Sequence, residues 1–293
     1  MKEDYGALVP EHVEIHTKTA SLPLCELRYI ETGAGPPLIM VPATMSVVQD
    51  WAGLAAFVGQ KYRVFFFELP GHGMSTPLEC CSSGQIARVV DDFLDYLGFA
   101  RVSLLGFSFG GLLTLTALER FSHRIDRVVL ISPLVDSSAL LLSPLAKLCV
   151  RALIRVTRSR RLQEAIHRSV QSNRGSAFWA QLATRLGNVE HPDIVAENLR
   201  AIPLSTIQAL SRQLDEITNT HHFVGSVHYS QPCLFAMSVI DPLIDFAYTS
   251  TALRKLFDRV EEVRLNLPYH RPRELPTLGY LNHTYPHLLD RMG

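Results

Sequence analysis

Cysteine is scarce in this chain of 293 residues, and its five cysteines follow no regular spacing. Cys80 and Cys81 are adjacent, whereas the other three lie far apart in the sequence. An odd number of irregularly spaced cysteines does not predict a disulfide framework, so we expect a reducing compartment.

An excess of charge of either sign is also lacking. The chain has 28 Lys and Arg residues against 28 Asp and Glu residues, so its formal net charge is zero. This balance gives no support for a nucleic-acid partner, and we expect none.

Long apolar runs are missing too. No stretch of about 18 uncharged apolar residues occurs, so we expect no membrane-spanning helix. The first residues, MKEDYGALVPEHVEIH, carry charges where a signal peptide needs an apolar run. A cytoplasmic protein is the expectation that follows.

Hydrophobic residues, in contrast, make up 47% of the chain, which is enough to bury a large core. In the first 135 residues, and again after residue 231, short apolar strands alternate with segments of helical periodicity. This alternation predicts an α/β fold with a mostly parallel, doubly wound sheet. In such sheets, reactive groups gather at the carboxyl ends of the strands.

The region from about residue 137 to 229 offers helical segments and no convincing strand. A structureless loop of this length inside a compact domain is improbable, so we interpret the region as a helical insertion. The predicted organisation is a core formed by residues 1–135 and 231–293, with a helical cap formed by residues 136–230.

The stretch LLGFSFGGL, residues 104–112, places Ser108 where an apolar strand turns abruptly into a helix. A serine at a helix N-terminus often only caps the helix, but capping requires neither Gly106 nor Gly110. Small residues at those positions let the strand and the helix cross closely. We therefore interpret Ser108 as a nucleophile, which needs a general base and a third group that orients the base.

The GFSFG turn, the segment ELPGHGMSTP and the order of elements together resemble the α/β-hydrolase fold with a helical cap. The resemblance extends from about residue 12 to the C-terminus. It implies a serine nucleophile that is followed along the chain by an acid and a histidine, and it implies no metal and no organic cofactor.

The resemblance also implies an oxyanion hole formed by two backbone N–H groups, those of Phe109 and, by position, Thr44. Where relatives commonly carry His-Gly, this chain reads Pro42-Ala43. This departure keeps a ligand receptor or pseudo-enzyme on the same fold as an alternative function.

For the acid, the segment SVIDPLID resembles the family's acid loop and offers Asp241, with Asp245 as a rival. An Asp-Pro pair is also a common start of a turn. The position after the next-to-last strand favours Asp241.

Two histidines compete for the role of base. His270 lies 29 residues after Asp241, and His283 lies 42 residues after it. Between the acid and the base the chain must form a helix, a strand and two short loops, which takes about 26 residues. This distance favours His270. The segment NHTYPHLL itself resembles the family's histidine segment, so His283 stays the alternative.

The C-terminal segment predicts one closing helix, because apolar residues recur there at steps of three and four, although Pro286 fits badly inside a long helix. These residues are Leu275, Leu278, Leu281, Tyr285, Leu288 and Met292. On this helix His283 points away from the apolar stripe. His283 and His287 have the i,i+4 spacing of metal ligands, but nothing completes a site, so we interpret both as surface residues.

The function we expect is hydrolysis of an ester or other acyl substrate through an acyl-enzyme on Ser108, with acyl transfer as an alternative on the same residues. The apolar cap and the apolar turn at Ser108 indicate a small-molecule substrate with a hydrophobic acyl group or ring, although the fold does not choose among activities. Lys147, Arg151 and Arg155 form a basic stripe at i,i+4 spacing. We prefer a solvated outer face for this stripe over contact with a membrane surface.

Overall fold

One sheet of eight strands organises the chain in the computed structural model, which describes residues 5–79, 81–157, 159–187, 192–220, 228–271 and 276–292. The strands are β1 (Ile15–Ser21), β2 (Glu26–Thr32), β3 (Pro37–Val41), β4 (Arg63–Phe67), β5 (Val102–Phe107), β6 (Ile125–Ile131), β7 (Cys233–Ser238) and β8 (Val260–Leu265). Their order across the sheet is β1-β2-β4-β3-β5-β6-β7-β8. β1 pairs with β2, and β2 with β4, in antiparallel fashion, while the other neighbouring pairs are parallel.

Eleven α-helices are assigned in the described residues. They are α1 (Val48–Val58), α2 (Ser83–Leu97), α3 (Phe109–Phe121), α4 (Pro144–Thr157), α5 (Arg160–Gln171), α6 (Asn173–Gly187), α7 (Pro192–Ala201), α8 (Leu204–Asn219), α9 (Phe246–Leu256), α10 (Leu278–Thr284) and α11 (Pro286–Arg291).

Helices cover both faces of the sheet, and each face has its own apolar cluster. On one side α1, α10 and α11 contribute buried residues, and on the other side α2, α3 and α9 do so. Every residue of β5 and β7 is buried, as expected for central parallel strands. The prediction of a mostly parallel, doubly wound α/β sheet is therefore confirmed.

Helix α2 illustrates how the local sequence specifies an element. Its apolar residues recur at helical spacing and are buried on one face, while the Ser82 hydroxyl caps the N-terminus by accepting from the Gln85 N–H. Gly98 ends the helix in the left-handed conformation, with φ 74°.

Between β6 and β7 the described residues form five α-helices, α4–α8, and no strand. These helices correspond to the predicted helical insertion. The division of the chain at residues 136 and 230 stays a prediction.

The prediction of one closing helix is wrong, because the segment forms two short helices. Proline lacks the N–H that a continuous helix needs, so α10 ends at Thr284 and α11 begins at Pro286. Leu275, the first residue of the predicted apolar stripe, lies outside the described residues.

The four cysteines that the structure describes are free thiols, buried at Cys25, Cys81 and Cys233 and exposed at Cys149. Cys80 lies outside the described residues. In the described part of the chain, no helix combines the length and the apolar character needed to span a lipid bilayer.

Candidate active site

Ser108 occupies the sharp turn between β5 and α3. Its backbone has φ 53° and ψ −119°, in the left-handed region that a residue with a Cβ rarely adopts. The hydroxyl makes no capping hydrogen bond to α3. The turn therefore directs the side chain away from the helix, which excludes the interpretation of Ser108 as a simple N-cap.

The two glycines that flank Ser108 allow this turn by close backbone approach. A Cβ on Gly106 would lie 2.4 Å from the carbonyl oxygen of Gly110, and a Cβ on Gly110 would lie 2.3 Å from that of Val41. Both distances are too short for real atoms, so any larger residue would push the strand and the helix apart.

His270, in the segment after β8, connects Ser108 to Asp241. Its Nε2 lies 2.8 Å from Ser108 Oγ, and its Nδ1 lies 2.8 Å from Asp241 Oδ2. An ionised carboxylate only accepts hydrogen bonds, so Nδ1 carries the proton and Nε2 is left to accept from the serine hydroxyl. The structure thus brings together the three residues that the sequence predicts as nucleophile, base and acid.

Asp241 follows β7 and has a fully buried side chain. Its Oδ1 accepts hydrogen bonds from the backbone N–H groups of Leu243, at 2.8 Å, and Ile244, at 3.0 Å. These two bonds fix the carboxylate, so that Oδ2 faces His270 in a defined direction.

The rival residues have other roles. The Asp245 carboxylate caps α9 by accepting from the Tyr248 N–H at 2.8 Å. His283 and His287 are exposed on the closing helices. Among the described residues, no group of three or more His, Cys, Asp or Glu side chains could hold a metal ion.

The predicted oxyanion donors lie on two segments that pack against each other. Phe109 is the first residue of α3, and Thr44 lies in the loop between β3 and α1. Gly110, next to Phe109, packs directly against the backbone of Val41 and Pro42, where that loop begins. Met45, next to Thr44, has φ 56°, so this loop also adopts an uncommon conformation.

Sequence reasoning assigned no role to Ser238, at the end of β7. Its hydroxyl donates to the Leu267 carbonyl at 2.7 Å and accepts from the N–H groups of Leu267, at 2.9 Å, and Ile240, at 3.2 Å. Ser238 thereby ties the loop that carries Asp241 to the segment that carries His270. A serine in the apolar run CLFAMSVI was the available signal.

Sequence reasoning also missed the buried carboxylate of Glu68. It accepts from the N–H groups of Val48, at 3.2 Å, and Met74, at 2.7 Å, and it lies 3.5 Å from the Arg28 guanidinium. Burial raises the pKa of this carboxyl, against the opposing effect of the N–H donors and Arg28. Glu68 thus joins the end of the GHG turn (residues 71–73) to the start of α1, directly after the Thr44 loop.

An apolar cavity of about 270 Å³ lies among the helices between β6 and β7. Helices α4–α8 provide its walls, and Met45 links it to the Thr44 loop. The hydroxyls of Thr157 and Ser211 in the wall are 2.7 Å apart and bond to each other, which leaves the lining largely apolar. Its other lining residues are Leu153, Ile166, Val170, Trp179, Leu182, Leu199, Ile202, Thr206, Ile207, Leu210 and Leu214.

Comparison with known sequences supplies a family for this arrangement. The sequence model of a family described as "alpha/beta hydrolase fold" matches residues 36–270, which is most of the chain. Over 101 residues the chain is 30% identical to a pimeloyl-[acyl-carrier protein] methyl ester esterase of Nitrosomonas europaea, in a stretch that covers 34% of this chain and 38% of that protein. The chain thus matches about a third of the length of such curated relatives.

Solved structures share the fold over almost the whole chain. The epoxide hydrolase CorEH superimposes with a TM-score of 0.69 at 14% identity, covering 95% of this chain and 97% of its own. A hydrolase from Pseudomonas aeruginosa PA01 superimposes with a TM-score of 0.65 at 16% identity, covering 96% of this chain and 97% of its own. At these identities the likeness shows the fold alone.

Proposed function

Because this chain belongs to the α/β-hydrolase fold family, we propose that it hydrolyses an ester or other acyl substrate through an acyl-enzyme on Ser108. The observation that carries the proposal is the position of His270, with one ring nitrogen 2.8 Å from the Ser108 hydroxyl and the other 2.8 Å from Asp241. This is the geometry that activates a serine for attack on a carbonyl carbon.

In the first half of the proposed reaction, Ser108 Oγ attacks the carbonyl carbon while His270 Nε2 takes the hydroxyl proton. The buried Asp241 carboxylate stabilises the imidazolium that forms. The N–H groups of Thr44 and Phe109 donate to the oxyanion, aided by the N-terminal end of the α3 dipole. His270 then returns the proton to the leaving alkoxide, and the acyl group remains on Ser108.

In the second half, a water molecule attacks the acyl carbon while His270 takes one of its protons. The tetrahedral intermediate collapses, the carbon–oxygen bond to Ser108 breaks, and His270 returns the proton to Oγ. The products are a carboxylic acid and the free enzyme. Acyl transfer would use the same steps with an alcohol in place of water. The name of the Nitrosomonas europaea relative, a methyl ester esterase, supports an ester as the substrate.

Hydrolysis of a series of p-nitrophenyl esters tests the proposal. We expect turnover by the wild-type protein and its almost complete loss in Ser108→Ala, on the order of a million-fold. Ser250→Ala, which removes a hydroxyl on α9, is the matched control and should keep wild-type turnover. Binding of the esters without cleavage would contradict the proposal and favour the ligand receptor.

We also propose that the acyl group is apolar and occupies the cavity next to Met45. A methylene group is comparable in volume to a water molecule, about 30 Å³. The cavity of about 270 Å³ then accommodates a chain on the order of ten carbons. Burial of such a chain contributes about 0.8 kcal/mol per methylene group.

A variant that fills the cavity tests whether the cavity holds the acyl chain, independently of whether the protein hydrolyses esters. In Leu210→Trp, we expect kcat/KM for a decanoyl ester to fall at least about tenfold, while that for an acetyl ester stays unchanged. Leu24→Trp, at an exposed position in the β1–β2 turn, is the control. An equal loss for both esters, or no loss for either, would show that the cavity does not hold the acyl chain.

A further inference from the structure

Helix α4 exposes a row of apolar side chains that its packing does not use. Leu145 is 69% exposed, Leu148 63% and Val156 43%. Together with the exposed Ala152, these residues fall on one side of the helix at 3.6 residues per turn. We name this set the outer strip. Apolar residues in such a row are unusual on a surface that faces water alone.

The opposite side of α4 already packs against the protein. Ile154 and Thr157 are buried, and the Thr157 hydroxyl lies 2.7 Å from the Ser211 hydroxyl of α8. Since this inner face accounts for the packing of α4, the outer strip needs a different explanation.

Positive charge accompanies the outer strip. Arg151 and Arg155 are exposed, and helical geometry places them one turn apart along one edge of the strip. Residues 141–162 contain six Lys and Arg residues and no Asp or Glu, although the whole chain has a net charge of zero. The side chain of Lys147 lies outside the described residues.

Because the exposed apolar row lies beside these arginines, we propose, in place of the solvated face that the sequence alone favours, that the outer strip docks α4 into the interface of an anionic lipid bilayer. Leucines at the acyl boundary beside arginines at the headgroups are the pattern of a helix that lies in the membrane plane. An anionic lipid surface supplies the negative charge that residues 141–162 lack. A two-fold contact that pairs the α4 helices of two copies in antiparallel fashion would instead bring the same arginines together, where they repel.

Exposed apolar residues also lie in the segment before α4 and in the loop that carries Asp241. The Leu141 N–H donates to the Leu243 carbonyl at 2.9 Å, so the segment before α4 is tied to the loop that carries Asp241. Leu141 is 50% exposed, and Ile240 in that loop is 52% exposed. Docking through the outer strip therefore anchors the chain a few residues from a segment that is hydrogen-bonded to the loop that carries Asp241. The docking itself does not depend on the proposed hydrolysis.

Cosedimentation of the full chain with lipid vesicles tests the docking. We expect binding to phosphatidylcholine vesicles that contain phosphatidylglycerol, little binding to pure phosphatidylcholine, and weaker binding at high salt. The double variant Arg151→Gln/Arg155→Gln should bind about 30-fold more weakly. Leu145→Gln/Leu148→Gln should lose at least about tenfold in affinity. Lys255→Gln/Arg259→Gln, which removes two exposed charges near the start of β8, is the matched control and should bind like the wild type.

Three results would overturn the docking proposal. The first is no binding to the anionic vesicles at low salt, and the second is binding that neither double variant weakens. The third is a dimer of the wild-type chain that Leu145→Gln/Leu148→Gln converts to a monomer without any vesicle binding, which would assign the outer strip to contact between copies. Circular dichroism and turnover of a short ester, both unchanged in the variants, show that the fold is intact.

Discussion

At the scale of single residues, the proposed chemistry depends on which histidine faces Ser108. His270 does so, with Nε2 2.8 Å from the hydroxyl, and its side chain is only 10% exposed. The ring of Phe107 packs against the imidazole, with the ring centroids 5.5 Å apart. This contact and the bond to Asp241 hold the imidazole in one orientation, as a general base requires.

We predict that His270→Ala lowers ester turnover about as much as Ser108→Ala does. His283→Ala should keep most of the activity, because His283 is exposed on α10. The double variant Ser108→Ala/His270→Ala should be no worse than either single variant, since residues that act as one unit lose their effect together. Steady-state kinetics on a short ester measures all four. An inactive His283→Ala beside an active His270→Ala would refute the assignment of the base.

At the scale of elements, the candidate site depends on how the ends of β7 and β8 are held together. Asp241 follows the first strand and His270 follows the second, and Ser238 joins the two segments through three hydrogen bonds. The loss of these bonds would let the carboxylate and the imidazole move relative to each other.

Ser238→Ala should therefore lower kcat by about tenfold to a hundredfold and leave KM nearly unchanged, because Ser238 positions catalytic groups and not the substrate. The free energy of unfolding should fall by about 1–3 kcal/mol, because buried partners lose their bonds. The control is Ser250→Ala, which removes a 2.6 Å bond to Glu262 away from the candidate site. A kcat equal to that of the wild type would show that Ser238 is only structural.

Elements with a strong local signal could be predicted from the sequence. The helix from Ser83 to Leu97 has helical periodicity, an N-cap serine and a closing glycine. The turn at Ser108 has a glycine two residues away on either side. The closing segment shows where this reasoning fails, because a stripe of apolar residues continues across Pro286 although the helix cannot. The bonds between Ser238 and Leu267 and between Glu68 and Val48 join residues 29 and 20 positions apart, which only the folded chain brings close.

At the scale of the whole molecule, the fold buries a histidine whose charged form burial disfavours. His72, in the GHG turn, is 1% exposed, and its Nε2 has no hydrogen-bond partner among the described residues. The adjacent Gly71 carbonyl accepts from the Thr206 hydroxyl of α8 at 2.8 Å, so the turn lies between the sheet and the helical region. Burial lowers the pKa of His72 from its ordinary 6.5 to about 4.

This shift predicts a loss of stability in acid. Between pH 6.5 and about 4 the unfolded chain binds a proton at His72 and the folded chain does not, so the free energy of unfolding falls as the pH falls. Over this pH range the shift at His72 lowers the free energy of unfolding by about 3 kcal/mol in all. In His72→Gln this contribution disappears, and the dependence on pH in this window should be shallower by up to about 1.4 kcal/mol per pH unit.

Urea unfolding at several pH values measures the difference between the two slopes. The control is Leu24→Gln, at an exposed position in the β1–β2 turn, which changes no titratable group and should leave the slope unchanged. Equal slopes for the wild-type protein and His72→Gln would mean that His72 titrates alike in the folded and unfolded chains.

The central claim is that Ser108 is a nucleophile activated by His270 and Asp241, and a serine-reactive fluorophosphonate tests it most directly. Such a reagent bonds to an activated serine and not to an ordinary surface hydroxyl. Intact-mass measurement and peptide mapping of the labelled protein should show one adduct per chain, on Ser108, which forms far more slowly in His270→Ala. An unlabelled but folded protein, or an adduct on another residue, would contradict the account.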